Sequence, residues 1–266
     1  MPPAVPGSSA RASCCAVVRK LAAAALKRRL AITLAVLSAF LAVILVQFPA
    51  SWAGAALPRN VSCRELSGTL WQGSCAGLNA YGISVGDLDW TLHPLRLLLG
   101  RLNLDIALDA AGRLIRGRVE LGLGGQISAH ALKGTLPLDR QWFPQLATLP
   151  GANADFDIDS LLYDGRRLAS LIGRIDVHGL RSDGTLLGDY RLLFAGGGDE
   201  PIGRVSDLGG PFSVDGTLKL TREPGYVLEG RVAARPGAPP DTVQALRFLG
   251  SPDAQGRRPF SVAGTF

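Results

Sequence analysis

Residues 30–48 carry no charged side chain, and this run constrains the chain more than any other. From Leu30 to Phe48 the only polar side chains are Thr33, Ser38 and Gln47. About 20 helical residues cross the hydrocarbon core of a bilayer, and a helix satisfies its own backbone hydrogen bonds in lipid. The run therefore predicts a single transmembrane signal-anchor helix. Arg19, Lys20, Lys27, Arg28 and Arg29 precede it, and basic flanks stay on the cytoplasmic side. The expected boundaries are a cytoplasmic basic tail over 1–29, the anchor over 30–48, a linker over 49–60 and an extracytoplasmic β-rich domain over 61–266. A cleaved leader is the competing reading, because Ala53-Gly54-Ala55 resembles a small-residue cleavage site. The apolar run exceeds the usual leader core of roughly 7–15 residues, which favours an anchor.

The charge distribution agrees with this division. The net charge is +6. Six basic residues and no acidic ones lie in the first fifty positions, leaving 22 Lys and Arg against 22 Asp and Glu in the remainder. The excess sits beside the expected membrane span, where it sets topology and meets anionic lipid. A neutral ectodomain lacks the basic footprint of a nucleic-acid binder. Hydrophobic content of 47% over the whole chain exceeds that of a disordered sequence.

The four cysteines divide the same way. Cys14 and Cys15 fall on the expected cytoplasmic side, where thiols stay reduced, and Cys63 and Cys75 on the far side, where oxidation is normal. Between the latter two, Ser67-Gly68 and Gln72-Gly73 allow the chain to turn back. Cys63 and Cys75 are thus a disulfide candidate, with two unbridged core thiols as the alternative.

Beyond residue 60 the texture is that of strands. Leu102–Asp109, Arg118–Leu123, Asp155–Leu161 and Tyr226–Val232 each alternate apolar and polar residues, the period of a half-buried strand. Asp164-Gly165 and Asp183-Gly184 are hairpin signals. Short helices are expected at Pro94–Leu99, at Asp139–Leu149 and at Asp241–Leu249, the last framed by Pro239, Pro240 and Gly250. A unit of apolar, variable, Gly, Thr, apolar recurs at Leu66–Leu70, Leu132–Leu136, Val214–Leu218 and Val262–Phe266. Its Gly suits a strand that a neighbour approaches closely. The expected fold is mainly β: an antiparallel, twisted sheet with a few short helices.

The sequence shows no catalytic constellation. Gly196-Gly197-Gly198-Asp199-Glu200 lacks the Lys-Ser or Lys-Thr of a phosphate loop. His93, His130 and His178 are far apart and lack metal-ligand spacing. Asp155, Asp157 and Asp159 share one face of a strand at period two, which most simply faces water. The expectation is a protein that is not an enzyme, with no cofactor, no metal and no small-molecule substrate.

One stretch carries a family resemblance. Leu66-Ser67-Gly68-Thr69-Leu70-Trp71-Gln72-Gly73 is followed by Leu88-Asp89-Trp90-Thr91-Leu92-His93-Pro94 and by Leu97-Leu98-Leu99-Gly100-Arg101-Leu102. Together with Gly250–Arg257 leading into Phe260–Gly264, these motifs resemble the type II secretion system protein N family. The resemblance implies an accessory component of the cell inner membrane, single-pass, with the N-terminus cytoplasmic and the bulk of the chain in the periplasm. It implies partners among the other type II secretion components, namely inner-membrane platform proteins and the secretin. The periplasmic part would then be a scaffold or protein-interaction module. An AsmA-like lipid-binding or lipid-transfer protein is the alternative, since a sheet with one apolar face can hold a lipid chain. Trp71 and Trp90 lie in strand-like segments, where they either pack in the core or bind a partner.

Overall fold

The computed structural model describes residues 32–51 apart from 42 and 45, and residues 60–265 apart from 98–99, 111, 123, 139–151, 183, 197–199 and 223–224. The chain divides into two units, Met1–Phe48 and Pro49–Phe266. In the first, the described residues from Ile32 to Val46 are helical. Among the described residues no helix is long and apolar enough to cross a membrane. Leu30, Ala31, Ala42 and Leu45 of the expected anchor lie outside the described residues, as do the 1–29 tail with Cys14 and Cys15, most of the 49–60 linker with Trp52, and the helix expected at 139–149.

The second unit is one sheet. Its strands are β1 (Val61–Gly68), β2 (Gln72–Ala80), β3 (Ile83–Leu92), β4 (Arg101–Ala110), β5 (Arg113–Gly122), β6 (Ile127–Leu138) and β7 (Ala152–Tyr163). They continue as β8 (Leu168–Ser182), β9 (Thr185–Ala195), β10 (Ile202–Gly209), β11 (Phe212–Leu220), β12 (Gly225–Ala234) and β13 (Arg258–Thr265). Two short helices interrupt them, α1 (Pro94–Leu97) and α2 (Pro240–Leu246). The 13 strands form a single antiparallel meander in which each pairs with its neighbours in sequence. The alternating segments read from sequence fall within β4, β5, β7 and β12, apart from residue 123. Asp164 and Gly165 turn β7 into β8, and Gly184 lies in the turn from β8 to β9.

Register sorts the side chains onto two faces. Phe156, Ile175, Leu192 and Val205 are successive cross-strand partners from β7 to β10. Ile158, Gly173, Phe194, Gly203, Leu218, Leu228 and Val262 form the next such row from β7 to β13. This is the apolar face. Its densest part is Ile158, Leu171 and Phe194, each under 10% exposed, packed by Leu132, Phe156, Ile175 and Leu218. Burying side chains of this size stabilises by about 1.5–3 kcal/mol each.

Many glycines sit inside strands because an aromatic ring or a backbone covers them. Gly73 faces Trp90, Gly203 faces Phe194, Gly230 faces Phe260 and Gly264 faces Tyr226. A Cβ on Gly203 would stand 2.7 Å from the Phe194 ring, and one on Gly264 would stand 2.7 Å from the Tyr226 ring. The ring takes the space that a side chain would fill, a known device for strand glycines. The recurring Gly-Thr unit is explained in the same terms. Its glycines, Gly68, Gly134, Gly216 and Gly264, each have a neighbour within 3.0 Å of where a Cβ would lie.

Candidate functional site

Strands β1 to β3 and the turn between the first two hold Cys63, Trp71, Cys75 and Trp90. Cys63 and Cys75 are joined by a disulfide, with their Cα atoms 5.6 Å apart. The bond links β1 to β2 across a hairpin whose register pairs Leu66 with Cys75 and Cys63 with Leu78. Trp90, on β3, lies over Gly73, and its indole N–H donates to the Leu70 carbonyl at 3.1 Å. Trp71 sits in the β1–β2 turn, and its carbonyl accepts from the Leu92 N–H at 2.6 Å. Both indoles are half-buried, and Trp90 has a structural task in holding the first hairpin to β3. Phe48 lies in the other unit, and Leu30 lies outside the described residues.

Strand β3 ends at Leu92, and α1 begins at Pro94. His93 between them meets Asp105 at 2.6 Å, and Arg118 donates to the other carboxylate oxygen at 2.8 Å. The His93 hydrogen bond, aided by Arg118 and opposed by burial, holds the Asp105 carboxyl below its usual range.

The polar face carries a lattice of cross-strand ion pairs. Lys133 on β6 meets Asp157 on β7 at 3.0 Å. Arg191 on β9 grips Asp176 on β8 with two hydrogen bonds of 2.7 and 2.9 Å, and Arg174 adds a contact at 3.4 Å. His178 stands 3.5 Å from both Asp155 and Asp189. Of the acidic row read from β7, Asp155 and Asp159 are exposed and Asp157 is half-buried. Opposite charges placed across strands each contribute about 0.2–1 kcal/mol. Both signs of charge are interspersed on this face. Among the described residues no three His, Cys, Asp or Glu side chains converge as a metal site.

The other face is different in kind. A groove of about 500 Å³ runs along it, lined by Val177, Leu192, Val205, Leu218, Leu228 and Phe260 among others. Register explains the lining, because these residues occupy adjoining apolar rows from β8 to β13. Tyr190 is the lining residue with a hydroxyl, and that hydroxyl donates to the Leu187 carbonyl at 2.7 Å. Burial, reinforced by the Asp207 charge, pushes the Tyr190 phenol up to about 12. Asp207 pairs with Tyr190 in register and so puts a carboxylate on the apolar side. Arg235 donates to it at 2.6 Å and the Val214 N–H at 3.0 Å. Burial alone would raise this carboxyl, but these donors outweigh it and leave it lowered. Leu218, Leu228 and Phe260 fall in segments legible in the sequence, but as strand or family motifs and not as the lining of a groove. Alternation tells which side of a strand is apolar, but not whether that side is covered.

Comparisons with known proteins bear on the whole sheet. The family model described as type II secretion system protein N matches residues 59–261. A Vibrio cholerae protein named type II secretion system protein N is 27% identical over 231 residues, which cover 78% of this chain and 86% of the relative. The Aeromonas hydrophila protein of the same name is 28% identical over 253 residues, covering 90% of this chain and 99% of the relative. No solved structure matches the chain.

Proposed function

The chain belongs to the type II secretion system protein N family, and from that premise we propose that it is an accessory component of the secretion apparatus whose β sheet is a periplasmic protein-interaction module. One observation carries the reading: the family match spans residues 59–261, nearly the full extent of the sheet from β1 to β13. The sheet is thus the part by which the family is recognised. The apolar run over 30–48 and its basic lead-in support a single-pass inner-membrane anchor with a cytoplasmic N-terminus. The disulfide between Cys63 and Cys75 is in keeping with an oxidising compartment for the sheet. The reading gives the protein no reaction of its own and makes inner-membrane platform proteins and the secretin its partners.

Affinity purification of the full chain from a detergent extract tests this. Other secretion components are expected to co-purify, and deletion of the gene is expected to lower secretion. If neither is seen, the reading fails. Its topology is tested by a periplasm-dependent reporter joined after residue 266, which should be active.

A second reading is favoured by the groove alone, since the names of the matched relatives concern secretion and not lipid. A lipid chain laid along the apolar rows of β8 to β13 would cover side chains such as Leu218 and Leu228. From β8 to β13 the lining crosses six strands, about 24 Å at the usual strand spacing. That exceeds the length of one acyl chain, about half of a 30 Å hydrocarbon core. Native mass spectrometry of the purified protein discriminates: a bound phospholipid mass supports this reading and a clean apo mass rejects it.

A further inference from the structure

Phe248 is 90% exposed, the highest exposure of any large hydrophobic side chain among the described residues. Scattered exposed hydrophobics are ordinary, but a phenylalanine this bare forgoes nearly all the burial that its ring could gain. The backbone holds it outward. Past α2 the chain tightens, with the Arg247 N–H donating to Gln244, the Phe248 N–H to Ala245 and the Leu249 N–H to Leu246, at 3.0, 3.1 and 3.1 Å. These bonds reach back three residues, the pattern of a 3₁₀ turn. Val243 and Leu246 stay half-buried while Phe248 is delivered to solvent.

The corner is braced from below. Arg258 donates to the Leu249 and Gly250 carbonyls at 3.2 and 2.9 Å, tying the turn to the start of β13. Asp253 accepts from the Gln255 and Arg257 N–H groups at 3.0 and 2.9 Å and from the Arg257 side chain at 3.0 Å. Phe248 is therefore presented by a bonded turn, which lowers the ordering cost of a contact made through it. The residues just before it, Leu246 and Arg247, line a concavity of about 310 Å³ together with Val232, Val243, Gln255 and Arg258.

Charge indicates what the corner meets. Between Pro240 and Arg258 lie Asp241 and Asp253 against Arg247, Arg257 and Arg258. Asp253 is engaged by Arg257 at 3.0 Å and by Arg231 at 3.6 Å. Among the described residues no carboxylate pairs with Arg247. The corner thus offers a bare aromatic ring beside an uncompensated guanidinium, the residue types that dominate interface hot spots. A lipid surface suits it less well, because interfacial anchoring needs a broad apolar helix face, and α2 has seven residues with Asp241 and Gln244 among them.

We propose that Phe248 and Arg247 are the contact by which the sheet grips a protein partner, one with an apolar pocket rimmed by carboxylates. This rests on the protein-interaction reading above and names its site. The full chain is expressed with the secretion apparatus and purified in detergent, and the captured component is identified. Its affinity is then measured for wild type, Phe248→Ala, Phe248→Trp and Arg247→Glu. Phe248→Ala should weaken binding by about 30-fold or more, as loss of a hot spot does, with no change in melting temperature. Phe248→Trp should retain binding. Arg247→Glu should weaken it and reverse its salt dependence, because salt then screens a repulsion. Equal affinity of wild type and Phe248→Ala overturns the proposal and leaves the interaction reading standing. Capture of no component by wild type overturns both. Loss of binding to phosphatidylglycerol vesicles in Phe248→Ala, with protein capture intact, makes the corner a membrane contact and likewise overturns it.

Discussion

Gly216 and Gly124 are the same residue type under opposite constraints. A Cβ on Gly216 would lie 2.5 Å from the Glu229 carbonyl oxygen and 3.1 Å from the Gly230 Cα, both backbone atoms that cannot swing aside. Gly124, in the β5–β6 turn, has nothing within 4 Å of that position. Gly216→Val should therefore cost about 1–3 kcal/mol through overpacking, and Gly124→Ala should stay within about 0.5 kcal/mol, both read from urea unfolding. Asp176 supplies a pH prediction. Arg191's hydrogen bonds, opposed by burial and helped by Arg174, hold its carboxyl below the usual range. A depressed carboxyl contributes stability above its unfolded value of about 3.9 and loses it as pH falls through the folded value. Asp176→Asn should lower the melting temperature at pH 7, and the gap to wild type should shrink below about pH 4. An undiminished gap at acid pH would mean that the pair is not what Asp176 contributes.

At the scale of elements, the period-two segments and the hairpin signals were readable because each depends on neighbours in sequence. Leu102–Asp109 lies inside β4 and Tyr226–Val232 inside β12. Residues 195–220 show no family motif in the sequence, only the Gly-Thr unit at Val214–Leu218, although they contain β10 and β11. In β10 a glycine takes an apolar-face position because the Phe194 ring of β9 fills it, and Asp207 stands on that same face because Arg235 reaches it from beyond β12. Both compensations come from other strands, so no local pattern announces them. The exposure of Phe248 is hidden for a related reason: the helix expected at Asp241–Leu249 ends in Val243, Leu246, Phe248 and Leu249, which read as core until the turn geometry is known. The first hairpin provides a test of its own. Replacing Cys63 and Cys75 together by serine removes a cross-link over 12 residues of chain and should cost about 3 kcal/mol in the chain-entropy account. Reductant should lower the wild-type melting temperature and leave the double variant unmoved.

Among the described residues, the sheet combines a dense cluster with an open groove. Ile158 is 4% exposed at the centre of that cluster, whereas Leu228 on the groove is only half-buried. Ile158→Ala should cost about 2–5 kcal/mol. Leu228→Ala should cost clearly less if the groove is open in solution; equal losses in urea titrations would show that something covers it.

The unbroken neighbour-to-neighbour order of the strands bears on biogenesis. No strand has to wait for a partner synthesised much later, so loop closures stay short and nucleation is local. A polypeptide threading out amino end first could lay down each strand against the one already in place. Such growth leaves, at every moment, one moving border at the advancing front beside the fixed outer edge of β1.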